Sequence, residues 1–148
     1  MKLRIFFALL TLVLAGSSVA TARPSECSNL TIKGSYAFTI RGQFLTPSGS
    51  PVIDGIARTT FDGNGNLVQV DAVATNGNIP VIWNPGTGTY NLSADCTGTM
   101  TLNNPGQPTL HLAILVSHSG DIIHAVVVDA GVAVTSDAER LVAAKSDD

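Results

Sequence analysis

The sequence predicts an all-β fold, a single antiparallel up-and-down barrel of about eight strands. Two observations carry that expectation. From residue 34 onward, apolar and polar residues alternate with period two in run after run, the repeat of a strand with one buried face. Between the runs stand clusters of Gly, Asn, Asp and Pro of hairpin length, and no long crossover is evident, which disfavours a Greek-key sandwich. No internal repeat stands out, which disfavours a propeller or a solenoid.

The chain opens with the layout of a secretory signal: Lys2 and Arg4, an apolar run over residues 5–14, then small residues. The run is too short to span a bilayer, which takes about 20 apolar residues. Cleavage fits after Ala20 or after Ala22, and Ala20-Thr21-Ala22 is the better A-x-A match. The expected division is a signal peptide over 1–22 and a β-barrel domain over 23–148, with a secreted or periplasmic destination. Removing 22 of 148 residues leaves 126, and losing Lys2 and Arg4 leaves six basic against eleven acidic residues, a net charge of −5. An acidic, aromatic-poor surface lacks the Lys/Arg stripe that nucleic acid demands, and it suits an anionic membrane no better. In an oxidising compartment the two cysteines, Cys27 and Cys96, are expected to pair. Closing a loop of about 70 residues would stabilise the fold by roughly 4 kcal/mol.

The first strand is expected over residues 35–41, with Tyr36, Phe38 and Ile40 on one face and Ala37, Thr39 and Arg41 on the other. Residues 46–51 form a Pro/Ser/Gly loop. A second run, 53–61, meets Asp62-Gly63-Asn64-Gly65-Asn66, a hairpin turn because Asn and Gly tolerate positive φ. A third, 67–75, ends at Asn76-Gly77-Asn78. A short run over 79–83 carries Pro80, which marks an edge or a strand start, and a turn follows at Asn84-Pro85-Gly86. Runs 87–93 and 98–103 pair across residues 94–97, and Asn104-Pro105-Gly106 turns the chain again. Runs 110–116 and 122–129 make a hairpin across residues 117–121. After a last short run, 132–135, Ser136-x-x-Glu139 has the form of a capping box ahead of residues 140–144. That permits a short C-terminal helix, and a continuing strand fits nearly as well.

The hairpin bounded by Leu110 and Val128 is apolar on both faces apart from His111 and His124. A barrel interior covers one face only, so the other face is expected to meet a helix, a neighbouring subunit or a partner, which motivates a homo-oligomer through this hairpin. If the hairpin centres on Ser119, His111 pairs with Val127 and His124 with Ile114. The two rings then point to opposite faces, one lining the cavity and one outside; a one-residue shift of register would bring them to one side.

Other chemistry is sparse. Asp62-Gly63-Asn64-Gly65-Asn66 superficially matches a calcium loop, but Leu67 and Val73 stand where an EF-hand needs Gly and a bidentate Glu. No third ligand joins the histidines and no CxxC is present, so no metal is expected. No cofactor is expected either: the nucleophile-elbow, zincin, phosphate-loop and dinucleotide motifs are all missing. Arg41, Arg58, Asp54 and Asp71 lie within strand runs, where a few inward polar groups would orient a small molecule and outward ones would only meet solvent.

An ordered set of segments covers most of the mature chain: Cys27-x-x-Leu30, Gly34-Ser35-Tyr36-Ala37-Phe38, the turn from Phe61 to Leu67, Gly88-Thr89-Tyr90-Asn91 and Asp95-Cys96-Thr97-Gly98-Thr99. The set resembles small secreted, largely uncharacterised proteins with a calycin-like barrel of the allene oxide cyclase type. The resemblance implies eight strands around a hydrophobic cavity, and relatives that bind apolar molecules or cyclise them. It carries over no catalytic residues. Three readings follow: a secreted barrel holding a small apolar ligand, with His111, Arg41, Tyr36 and Phe38 as the ligand-binding residues; a cyclase or isomerase on the same barrel; and a packed structural or interaction protein without a cavity.

Overall fold

The computed structural model describes residues 26–78 and 82–142. The signal peptide expected over 1–22 lies outside the described residues. Eight strands form one closed antiparallel barrel in sequence order: β1 (Gly34–Phe44), β2 (Val52–Phe61), β3 (Asn66–Thr75), β4 (Asn84–Leu92), β5 (Thr97–Asn103), β6 (Leu110–Val116), β7 (Ile122–Val127) and β8 (Val132–Arg140). β1 pairs with β2 on one side and with β8 on the other, which closes the sheet and leaves no free edge. A single 3-10 turn, Asn29–Ile32, precedes the barrel.

Alternation decides what faces inward. On β1, Tyr36 and Phe38 are buried while Ala37, Thr39 and Arg41 are exposed. On β6, Leu112, Ile114 and Val116 are buried while His111, Ala113 and Leu115 are exposed. Two elements differ from expectation. The C-terminal segment is strand through Arg140, because it is the strand that closes the barrel: Ser136 pairs with Ile40 of β1 and Ala125 of β7. Ladders on both sides satisfy every backbone group there, which a single capping box cannot match. Residues 84–86 start β4 instead of turning, and Pro85 pairs with Val70 at a point where β4 has not yet met β5, so its missing N–H interrupts no second ladder. Of the expected run 79–83, Ile79, Pro80 and Val81 lie outside the described residues, and Ile82 and Trp83 are irregular.

The β6–β7 register also differs, by one residue. Ser117 N–H donates to Ile122 O across a four-residue loop, so Leu112, not His111, stands opposite Val127. With this register Leu112, Ile114 and Val116 face Val127, Ala125 and Ile123 inside the barrel, and no histidine enters the core. The other register would have turned His124 inward against Ile114, an uncompensated polar burial.

The barrel has two unlike ends. At one, the 3-10 turn plugs the opening with fully buried Ile32, and the Cys27–Cys96 disulfide ties that segment to the β4–β5 turn. Tyr36, Phe61 and Tyr90 stack edge-to-face behind it, with ring centroids 5.5 and 4.9 Å apart. The Arg140 guanidinium lies 4.9 Å over the Tyr36 ring and donates to Thr31 O and Gly120 O, both at 2.8 Å. The Tyr36 hydroxyl donates to the same Gly120 carbonyl. Gly120 has φ +74°, and a Cβ there would collide with the Thr31 carbonyl, so this β6–β7 turn needs glycine. Among the described residues, nothing plugs the opposite end.

Candidate functional site: the open half of the barrel

A cavity of about 460 Å³ occupies the unplugged half of the interior, within the range of small-molecule sites. Its walls are mainly apolar: Phe38, Ile40, Ile53, Met100, Leu112 and Val134 are among them. Near the mouth, Phe44, Leu45, Val52 and Trp83 are partly or largely exposed, Trp83 by 53%.

One wall is polar, and it is built on β3. Gln69 and Asp71 face inward and are buried, Asp71 to 3% exposure, while Val68 on the other side is exposed. The Thr59 hydroxyl donates to Gln69 Oε1 at 2.9 Å, which fixes the amide so that its Nε2 donates to Asp71 Oδ2 at 3.1 Å. Asn104 Nδ2 donates to the same Oδ2 at 2.9 Å. Among the described residues, Asp71 Oδ1 receives only a 3.4 Å bond, from Asn84 Nδ2. Asn104 Oδ1 is buried with no hydrogen-bond partner and lies against Gly86, where a Cβ would collide with it. Among the described residues, Asp71 is the only ionisable one lining the cavity.

The four residues expected to bind ligand are not brought together. Phe38 lines the cavity. Tyr36 is fully buried among the aromatic rings of the plugged end, below the cavity. Arg41 is exposed on the outer face of β1, because the phase that turns Phe38 and Ile40 inward turns it out. His111 is exposed on the outer face of β6, as the register requires, and is tied to Asp129: its backbone N–H donates to Oδ2 at 2.6 Å and Nδ1 lies 2.8 Å from Oδ1. The N–H bond first, and the ring second, hold the Asp129 carboxyl below the usual carboxylate range. His124, on the same outer side, lies 2.6 Å from Asp137. Of the four charged strand residues, Asp54, Arg58 and Arg41 are exposed and only Asp71 is inside. Leu115, Ile122, Val126 and Val128, the outer face on which assembly of two copies was expected, are exposed in the single chain.

Asp62 serves its turn: Oδ1 accepts from Asn64 N at 2.6 Å and Asn66 N at 3.0 Å, and Oδ2 from Asn66 Nδ2 at 2.9 Å. Among the described residues no group of three or more His, Cys, Asp or Glu is placed to hold a metal ion, and no helix there is long and apolar enough to cross a membrane.

Asp71 was legible as a candidate but not as the chosen one. Hydropathy alone favours the wrong phase for β3, with Val68, Val70 and Ala72 inward. The better signal is the turn: Leu67 directly follows Asp62-Gly63-Asn64-Gly65-Asn66 and pairs with buried Phe61, so every second residue after it, Gln69 and Asp71 included, shares its side. No family model, curated protein or solved structure matches the chain.

Proposed function

We propose that this chain is an exported barrel that holds a small, largely apolar molecule in the open half of its interior. The observation that carries the reading is the uneven filling of one barrel. The plugged half is packed with aromatic rings and buried aliphatics, whereas the other half keeps about 460 Å³ behind apolar walls, with no plug among the described residues. A protein with only a structural task gains stability from filling that space, because native interiors pack at crystal-like density. Export is supported by the signal-like N-terminus together with the Cys27–Cys96 bond. The resemblance to allene oxide cyclase-type barrels agrees with an interior ligand site, and the closed eight-stranded plan is compatible with it.

The test uses the mature protein purified from culture medium without denaturant. Native mass spectrometry is expected to show an excess of a few hundred daltons over the oxidised polypeptide, as a cavity-sized ligand requires. The emptied protein is expected to bind the neutral probe N-phenyl-1-naphthylamine, with a change in emission from Trp83, the single tryptophan, next to cavity-lining Asn84. A bare mass and no probe binding would withdraw the reading in favour of a structural protein. Recovery of a bound molecule in chemically altered form after incubation would move it to the cyclase or isomerase alternative.

A further inference from the structure

We infer that the cavity selects molecules carrying a positively charged amine on an apolar body, and rejects carboxylates, with Asp71 as the selecting group. The inference rests on the ligand-holding reading and adds the chemistry of the ligand's head group.

Charge comes first. Asp71 is buried in the cavity wall, and among the described residues no Lys, Arg or His lines that cavity. The neighbouring basic groups are spent elsewhere: Arg41, Arg58 and His111 stand on the outer surface, and Arg140 is bound to the carbonyls of the plugged end. A buried carboxylate without a counter-charge is costly, and a cation supplied by a ligand relieves that cost. A ligand carboxylate would instead place a second negative charge in the same low-dielectric space.

The hydrogen bonds point the same way. Three neutral amides, from Gln69, Asn84 and Asn104, donate to Asp71, and two of the bonds go to Oδ2. Among the described residues Oδ1 accepts only the 3.4 Å bond, which leaves it capacity for a strong donor. Asn104 Oδ1 also lacks a donor, but it is sealed against Gly86, so the acceptor open to a ligand is Asp71 Oδ1. The site has acceptors in excess. An ammonium group has three donors and no acceptor, an alcohol one donor, and a carboxylate none. The expected order of affinity is therefore amine, then alcohol, then carboxylate.

A matched trio on one ring tests this: 2-naphthylmethylamine, 2-naphthylmethanol and 2-naphthoate, each displacing N-phenyl-1-naphthylamine from the mature protein at neutral pH. The amine is expected to bind at least about tenfold more tightly than the carboxylate, the scale of one charge-assisted hydrogen bond. In Asp71→Asn that preference is expected to collapse while the alcohol binds within about threefold of wild type, a difference smaller than one charge-assisted bond. Asp54→Asn, on the outer face of the adjacent strand, is the control and keeps the wild-type order. Equal binding of amine and carboxylate, or a preference that survives in Asp71→Asn, would overturn the inference while leaving the ligand-holding reading intact. Failure of the neutral probe and of all three naphthyl compounds would remove both. The wild-type order needs no variant, so poor folding of Asp71→Asn cannot shield the inference.

Discussion

The two halves of the barrel solve opposite problems with the same strands. In the plugged half, Tyr36, Phe61 and Tyr90 fill the space between the walls, and Ile32, the disulfide and Arg140 seal it. The turns at that end are held by their own side chains: Asp62 caps one, and Asp95 caps another through Thr97. In the open half the strands run on past the packed layer, the inward residues other than Phe38 and Phe44 are medium-sized or small, and the wall includes a buried carboxylate. The difference teaches that stability and reception are segregated along the barrel axis. The packing of the plugged half helps hold the strands in register around the cavity, whose walls continue the same core. Substitutions in the two halves should therefore separate into losses of stability and losses of binding.

The largest effect is expected from the disulfide. Cys27 and Cys96 are 69 residues apart, and replacing both with Ser should lower stability by about 4 kcal/mol, read from the urea midpoint. Affinity for the neutral naphthylamine probe should stay near wild type wherever the variant remains folded. A large loss of affinity in the folded variant would mean that the halves are coupled. Next comes Phe61→Ala, which removes the ring between Tyr36 and Tyr90 and should cost about 3–4 kcal/mol. Met100→Ala, in the cavity wall, should cost clearly less, about 1–2 kcal/mol, because its side chain already borders open space.

Alkaline titration should find the plugged half as well. Burial pushes the Tyr36 hydroxyl up to about 12 from its ordinary 10.0, with the Arg140 charge opposing, and burial raises Tyr90 in the same direction. The folded value lies above the unfolded one. The associated stability is therefore whole below pH 10 and is lost as pH climbs from 10 through about 12. The loss should be on the order of 2 kcal/mol across that window, and Tyr36→Phe should flatten it. In acid the sign reverses. Asp62, lowered chiefly by the Asn66 side chain, and Asp95, lowered chiefly by the Thr97 hydroxyl, favour folding above their ordinary 3.8. That small contribution disappears as pH falls through their folded values. Urea midpoints in alkali for wild type and Tyr36→Phe, and in acid for wild type and Asp62→Asn, check both.

Much of the frame was readable from residues, and the reason is that period-two alternation and turn chemistry are local. The β6 hairpin arm falls on residues 110–116 as read, and the inward set Tyr36, Phe38 and Ile40 follows from one strand's own pattern. What resisted reading depends on partners. His111 went to the outside because a four-residue loop closes at Ser117 and Ile122, a choice between registers that differ by one residue. Residues 136–140 became strand because β1 and β7 flank them. The polar wall was hidden for a deeper reason: hydropathy assumes that the apolar side of a strand faces in, and β3 breaks that assumption at Gln69 and Asp71, where the interior is a receptacle.

The sharpest comparison of the halves uses two alanines that flank one residue. Ala57 on β2 and Ala138 on β8 are both buried and both stand opposite Phe38, one on each side of β1. Only Ala57 lines the cavity. Enlarging a side chain in a packed core costs about 1–3 kcal/mol, so Ala138→Leu should lose stability on that scale and leave probe affinity within about twofold of wild type. Ala57→Leu adds the same atoms toward open space and should change stability by less than about 1 kcal/mol. Its expected effect is on binding, a severalfold weaker affinity for the naphthylamine probe as the added methyl groups occupy part of the cavity. If both alanines respond alike in stability, the space beside Ala57 collapses around the new side chain, and the open half is softer than a preformed receptacle should be. If Ala57→Leu alone is tolerated and alone weakens the probe, the boundary between packed and receptive barrel runs through the Phe38 layer.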